Sequence, residues 1–237
     1  MPRKTPRSLP ALVLLFSLAG EAQTLDSTTG LPDAVQIVER MRAADGARSA
    51  QLEGYVAVRR YELTNLRFHK QALIVARLTY LRPGEKRFEV ISEEGSKLLR
   101  DRVLKRVIST EEDASHGANR DLARINLENY ALKVLGTEME GGRTLYVLSL
   151  TPKSKSPYLV KGRAWIDASE YALVRVEGVV AKKPSMWVGS PVVKQTYIKS
   201  GLFWLPEKNV STTDAPVFGK TDLLIESSDY DIREKTP

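Results

Sequence analysis

The sequence predicts a mainly β (α+β) domain, built on one strongly curved antiparallel sheet that forms an unclosed half-barrel. Two or three helices are expected to pack as a lid on its concave side. About ten segments alternate apolar and polar residues, and most connections between them are short turns, so neighbouring strands run antiparallel. The helices are too few to cover both faces of so long a sheet, which favours a curled sheet around them. A closed barrel fits the same pattern.

Residues 1–22 have the composition of an export signal and do not belong to the domain. Arg3, Lys4 and Arg7 precede the apolar stretch 9–18, and the small residue Ala22 suits a cleavage site. A membrane anchor is disfavoured because about 20 apolar residues are needed to span a bilayer. We therefore expect residues 23–237 to form a single exported domain. With no cysteine, the chain is not expected to be a lipoprotein itself.

Three segments have helical periodicity. Residues 31–44 place Pro32 in the first turn and end before Asp45-Gly46, a typical stop signal. Residues 97–110 are amphipathic and carry Leu98, Val103 and Val107 on one face. A shorter helix is predicted over 120–126, with Asn119 as its N-cap.

The strands fall on either side of the second and third helices. A Pro83-Gly84 turn joins two of the early strands into a hairpin. The predicted strands are 52–63, 72–81, 87–92, 130–138, 143–151, 161–167, 173–181, 192–199, 203–213 and 220–230.

The charge balance is mildly basic. The formal net charge is +7, and removing 1–22 leaves 33 basic and 28 acidic residues, or +5. This excess favours transient contact with anionic membrane surfaces. It does not indicate nucleic acid, because the basic residues are spread along the chain without a basic arm or a binding motif.

The sequence gives no indication of catalysis. Its only histidines, His69 and His116, lie in different predicted elements, and there is no cysteine, so neither a metal site nor another cofactor is expected. No nucleophile or phosphate-binding motif is present, so no catalytic residue is assigned. The adjacent acids Glu93-Glu94 and Glu111-Glu112-Asp113 are interpreted as solvated. An envelope hydrolase is therefore the least favoured alternative.

Tryptophans mark two kinds of position. Trp165 and Trp204 lie on predicted strands and are interpreted as core or sheet-end residues. Met186 and Trp187 lie in a loop between strands and are predicted to form an exposed contact loop for a ligand, membrane or partner.

The order of motifs in the second half resembles a known family. An apolar strand ends in Leu150-Thr151-Pro152-Lys153, and four further motifs follow it. They are Gly162-Arg163-Ala164-Trp165-Ile166-Asp167, Val174-Arg175-Val176-Glu177-Gly178, Gly201-Leu202-Phe203-Trp204-Leu205-Pro206 and Tyr230-Asp231-Ile232. Over about 130–232 this order is similar to the LolA/LolB superfamily of bacterial periplasmic, outer-membrane lipoprotein-sorting-like proteins.

The resemblance implies a hydrophobic cavity beneath the helices that binds acyl chains of a lipid or lipoprotein. Positions that face away from charged neighbours in the strands are the cavity candidates, together with three residues of the lid-like helix: Ala164, Ile166, Val174, Val176, Leu98, Val103 and Val107. The expected function is that of a non-catalytic carrier. The alternative is an envelope sensor or assembly module that binds a protein partner in the same cleft.

Overall fold

The computed structural model describes residues 30–182, 189–216 and 219–235. They contain ten strands in one antiparallel sheet with the order β3-β2-β1-β10-β9-β8-β7-β6-β5-β4. The strands are β1 (Leu52–Asn65), β2 (Lys70–Leu81), β3 (Glu85–Gly95), β4 (Tyr130–Glu140), β5 (Arg143–Pro152), β6 (Val160–Asp167), β7 (Leu173–Val180), β8 (Val192–Ser200), β9 (Phe203–Ala215) and β10 (Gly219–Glu234).

The sheet does not close into a barrel, because its two edge strands, β3 and β4, are not hydrogen-bonded to each other. They are consecutive in the chain, and a helical connection joins them. It comprises α2 (Lys97–Leu99), a π-helical segment (Arg100–Leu104), α3 (Lys105–Ser115) and α4 (Gly117–Leu122). We call residues 97–122 the helical crossover. The unclosed antiparallel sheet with a few helices confirms the predicted fold class.

The first helix, α1 (Ala34–Gln51), is longer than predicted. The Asp33 side chain caps its start by accepting a hydrogen bond from the Gln36 amide at 2.8 Å. The helix continues through Gly46 because its last turn has a tertiary anchor: Arg48 donates to the Glu170 carbonyl oxygen at 3.0 Å. It then passes directly into β1.

Both helical regions cover the same face of the sheet. Leu104 and Ile108 of the crossover pack on Tyr61 of β1 and Ile74 of β2. Ile37 of α1 packs with Leu148 of β5. Tyr61 and Leu148 belong to one continuous row of paired residues across the sheet, so they point to the same side. The core therefore lies between the concave face and its helices, as predicted.

A second cluster lies on the opposite, convex face. Trp165 is 4% exposed and packs with Leu145 and Val147. Its indole nitrogen donates to Glu138 at 2.6 Å, and the Arg175 guanidinium lies 4.0 Å from the ring centroid. The interpretation of Trp165 as a packing residue is confirmed, although on the convex side of the sheet.

In the described part of the chain, no helix combines the length and apolar character needed to cross a membrane.

Candidate functional site

The residues that line the concave face differ in polarity between the outer strands and the central strands of the sheet. One row of paired residues runs across the sheet from β2 to β4. It consists of Ile74, Tyr61, Ile225, Asn209, Gln195, Val176, Ala164, Leu148 and Val134. The outer members of the row are apolar and packed, whereas Asn209 and Gln195 in the middle are half-buried amides. Asn209 donates a hydrogen bond to Gln195 across the strands at 3.0 Å.

The next row on the same face has small residues in its middle. It consists of Leu63, Leu223, Ser211, Val193, Gly178, Gly162 and Leu150. A Cβ on Gly162 would lie 1.9 Å from the Glu177 carbonyl oxygen, so the close approach of β6 and β7 excludes a side chain there. The middle of this row is therefore lined by backbone and short side chains.

We call the middle of these two rows the central strip: Gly178, Val193, Gln195, Asn209 and Ser211. It lies between the part of the sheet that contacts α1 and the part that contacts the crossover. Hydrocarbon can contact Val193 and the glycine backbone, while the two amides can hydrogen-bond to a carbonyl or hydroxyl group.

Three of the predicted cavity residues lie beside the central strip. Ala164 and Ile166 are fully buried, and Val176 is 9% exposed. Ala164 and Val176 share a cluster with Leu150, while Ile166 packs against α1. In this conformation their side chains are in the packed core, at the border of the strip.

The fourth strand residue, Val174, lies elsewhere. The pairing of β6 with β7 shifts between Trp165 and Ile166, so that Ile166 is opposite Leu173 and Trp165 is opposite Arg175. This irregularity breaks the simple alternation used in the sequence analysis. As a result, Val174 packs with Trp165 on the convex face.

The crossover residues differ in exposure. Val103 and Val107 are half-buried against the cluster that contains Tyr61 and Leu104. Leu98 is 60% exposed, because it lies at the very start of the crossover. The seven predicted residues therefore do not line one common space. The predicted contact loop with Met186 and Trp187 lies outside the described residues.

A buried ion cluster joins the crossover to the sheet, and sequence analysis did not predict it. Arg59 of β1 forms an ion pair with Glu111 of α3 and donates to the Ser227 hydroxyl at 2.6 Å. Glu111 also accepts from the Lys86 ammonium and the Tyr61 hydroxyl, both at 3.0 Å. Three elements, β1, β3 and α3, thus meet at one carboxylate, and Arg59 links it to β10.

The electrostatics of the cluster favour the charged carboxylate. Burial alone would raise the pKa of Glu111, but the charges and hydrogen bonds of Lys86 and Arg59 outweigh it and lower the pKa to about 2. Burial, reinforced by the charge of Glu111, raises the pKa of the Tyr61 hydroxyl. The Arg59 Nε atom is buried and has no hydrogen-bond partner among the described residues.

The interpretation of Glu111 as a solvated acid is therefore wrong. Its side chain is 18% exposed, because α3 carries it onto the concave face beside two cations. A signal was present in β1: Arg59 occupies a position on the otherwise apolar face formed by Tyr55, Ala57 and Tyr61. A cation on such a face requires a buried partner.

Tyr197 of β8 provides a further polar group near the strip. Burial, together with the charge of Asp45 on α1, raises its pKa to about 12, although Arg59 acts in the opposite direction. The hydroxyl is therefore neutral at ordinary pH and available as a hydrogen-bond donor.

Two surface depressions lie away from the strip, near the junction of α1 and β1. The larger has a volume of about 480 Å³ and the smaller about 80 Å³. The larger is lined by Leu52, Glu53, Arg82, Pro83 and Lys235. None of the predicted cavity residues lines either one. Within residues 30–182, 189–216 and 219–235, no group of three or more histidine or carboxylate side chains is placed to hold a metal ion.

Comparison with solved structures identifies proteins of similar architecture. The chain is similar to a LolA superfamily protein from Nitrosomonas europaea, with 15% identity, a TM-score of 0.46 and coverage of 87% of this chain and 96% of the other. A domain assigned to outer membrane lipoprotein sorting from Vibrio parahaemolyticus is 16% identical, with a TM-score of 0.44 and coverage of 86% and 93%.

A DUF1329 family protein from Desulfovibrio piger is 14% identical, with a TM-score of 0.39 and coverage of 84% and 91%. No family model and no curated protein matches the chain. Because these identities and TM-scores are low, the function below is derived from the chain's own residues.

Proposed function

We propose that the protein is a non-catalytic carrier of the periplasm that binds an acyl chain of a lipid or lipoprotein along the central strip. The observation that carries this proposal is the change in lining between the sides and the middle of the concave face. Packed apolar residues lie on both sides, and small or half-buried residues lie between them.

The strip has the chemistry that a lipid tail and its ester group require. Each CH₂ group removed from water contributes about 0.8 kcal/mol. Apolar contact is available from Val193 and from the backbone at Gly178, and from Val176 at the border. The amides of Gln195 and Asn209 and the neutral hydroxyl of Tyr197 supply donors for carbonyl oxygens.

The helical crossover is suited to move when a larger ligand binds. Its apolar contacts with the sheet centre on Leu104 and Ile108. Its polar contacts include the ion pairs of Glu111 with Arg59 and Lys86 and those of Arg100 and Lys105 with Glu93. Displacement of the crossover would expose the cluster around Tyr61 as additional lining without breaking any strand pairing. The predicted export signal in residues 1–22 supports a role in the periplasm, where acyl chains need protection from water.

Titration with an environment-sensitive fluorescent fatty acid tests the proposal. The wild-type protein is expected to bind it saturably. Val193→Trp places a large side chain in the strip and should weaken binding about tenfold, which corresponds to about 1.4 kcal/mol.

Val192→Trp is the matched control, because Val192 is adjacent in β8, points to the convex side and is 55% exposed. Its affinity should stay within about twofold of the wild type. Absence of saturable binding to the wild type, or equal losses in both variants, would contradict an acyl-chain site in the strip.

A further inference from the structure

The end of the sheet that carries the β1–β2 turn has few acidic residues in its connections. The segment 123–129 before β4 contains one, Glu128, together with Arg124. Four other connections there are the turn 66–69, the crossover start 96–98, the loop 153–159 and the residues 181–182 after β7. They contain Arg67, Lys97, Lys153, Lys155 and Lys182, and no aspartate or glutamate. We call these four connections the basic rim.

Hydrogen bonds show that the connections at this end are neighbours in space. Arg67 donates to the Pro216 carbonyl oxygen at 3.1 Å, so the β1–β2 turn contacts the β9–β10 connection. The Ser96 amide donates to the Gln71 carbonyl at 2.8 Å. On the other side, the Ala181 amide donates to the Leu159 carbonyl at 2.8 Å. Between these two groups, the Val180 amide donates to the Pro191 carbonyl at 3.0 Å and the Gly189 amide to the Asp214 carbonyl at 3.2 Å, so the connections follow one edge of the sheet.

Large apolar side chains are exposed at the same place. Leu66 is 44% exposed, Phe68 is 51% exposed and Leu98 is 60% exposed. The Arg67 guanidinium lies 5.8 Å from the Phe68 ring centroid, so a cation and an aromatic ring share the tip of the turn. Exposed apolar side chains surrounded by cations are characteristic of surfaces that enter the headgroup region of a membrane.

Three lysines of the rim are available for a partner. Lys97, Lys155 and Lys182 are exposed, and none of them forms an ion pair with a carboxylate of the described ranges. Lys70 and Lys220, at the strand ends beside the β1–β2 turn, add two more exposed cations. The acids of the adjoining strands, among them Glu94 and Asp214, lie outside these connections.

From this juxtaposition of exposed cations and exposed apolar tips, we infer that the basic rim docks on the surface of an anionic phospholipid bilayer. The partner carries negative charge because only cations are present in these connections. It also has an apolar layer, since Leu66, Phe68 and Leu98 would be removed from water there. This goes beyond the proposed acyl-chain binding: it identifies the surface through which the protein meets a membrane.

Vesicle flotation with protein purified from a bacterial envelope tests the inference. We expect binding to phosphatidylcholine vesicles that contain about a third phosphatidylglycerol, and little binding to phosphatidylcholine alone. Raising the salt from 0.1 M to 1 M shortens the screening length from about 10 Å to 3 Å and should abolish most of the binding.

Matched pairs of variants locate the surface. Lys97→Gln with Lys220→Gln should weaken partitioning about twenty-fivefold, because each cation near an anionic surface contributes about fivefold. Arg233→Gln with Lys235→Gln removes the same charge from exposed positions at the opposite end of the sheet. This control pair should change vesicle partitioning less than twofold. Phe68→Ser should also weaken binding, whereas Met139→Ser, at a residue 65% exposed at the opposite end, should not.

Equal binding to both kinds of vesicle, equal effects of the two charge pairs, or binding to a soluble polyanion without vesicle binding would overturn the inference. Melting temperatures of all variants establish that they are folded. The fatty-acid titration contains no vesicles, so it separates the two proposals: Val193→Trp should still dock, and Lys97→Gln with Lys220→Gln should still bind the fatty acid.

Discussion

The two ends of the sheet differ in how their charges are arranged. The basic rim has five described cations and no acid, and the neighbouring segment 123–129 adds Arg124 and Glu128. The connections 82–84, 141–142, 168–172 and 201–202 at the opposite end contain one cation, Arg82, and one acid, Glu170. At that end the nearby cations also have protein partners. Lys199 forms an ion pair with Glu170 at 2.7 Å, and Arg143 forms one with Asp167 at 3.1 Å.

This difference separates charges that stabilise the fold from charges that are available for a partner, such as Lys97, Lys155 and Lys182. Arg59, Lys86 and Arg175, in the half of the sheet away from the rim, each have at least one carboxylate partner. Replacing a paired cation or its acid should therefore reduce stability, while replacing a rim cation should reduce association. The predictions below test this separation, beginning with the largest effect.

Glu111→Ala should have the largest effect. It leaves Arg59 and Lys86 without their common carboxylate, and breaking a buried pair costs about 3–5 kcal/mol. Urea denaturation measures the change in the free energy of unfolding. Asp113→Ala is the control, since Asp113 is exposed on the same helix. A loss below about 1 kcal/mol for Glu111→Ala would contradict the stabilising role of the cluster.

Acid should destabilise the protein through the same residue. The pKa of Glu111 is about 2 in the folded state against 4.5 for the free side chain, so its contribution is present above pH 4.5 and is lost as the pH falls towards 2. The contribution is about 3 kcal/mol. In Glu111→Gln, the decrease in the free energy of unfolding between pH 4.5 and pH 2 should be about 3 kcal/mol smaller than in the wild type. An unchanged pH dependence of the unfolding midpoint would argue against a depressed pKa.

Arg175→Met should have an intermediate effect. The guanidinium lies over Trp165 and forms ion pairs with Glu138 at 3.2 Å and Glu140 at 2.9 Å. Its loss should cost about 1–2 kcal/mol, because the cation–π contact disappears and two acids face each other. Thermal unfolding followed by tryptophan fluorescence reports the change, with Arg163→Met, at an exposed position of β6, for comparison.

Neutralisation of the rim should have the smallest effect on stability. Lys97→Gln combined with Lys155→Gln should change the free energy of unfolding by less than about 0.5 kcal/mol, since both side chains are exposed and lack ion-pair partners in the described part of the chain. A loss of more than 1 kcal/mol in urea denaturation would show that the rim also stabilises the fold.

The strands were predictable because the sheet has a strong local signal. Alternation with period two and short turns predicted all ten strands near their observed positions. The scarcity of helices favoured an unclosed sheet, but the same pattern also fitted a closed barrel, because closure depends on pairing between distant edge strands. Helix ends were less predictable. The Asp45-Gly46 stop signal was overridden because Arg48 binds the carbonyl group of Glu170 across the molecule.

The candidate site was predicted less well because it depends on contacts between distant segments. Strand alternation placed Ala164 and Val176 on the concave face, but the irregular pairing of β6 with β7 placed Val174 on the other face. The cluster of Arg59, Lys86 and Glu111 joins residues 25 and 52 positions apart, so no local pattern contains it. Only the position of Arg59, a cation on an otherwise apolar strand face, indicated the cluster in the sequence.

The unclosed edge between β3 and β4 has a consequence for the range of sizes that the molecule can accept. In a closed barrel the radius is fixed by strand number and shear, so a wider ligand could enter only by breaking a ladder of backbone hydrogen bonds. Here the perimeter is completed by residues 97–122, which link the two edges covalently but form no ladder between them. The spacing of the two edges is thus set by the length of a covalent connection, so the acyl-chain site proposed above would be able to widen with every strand still paired.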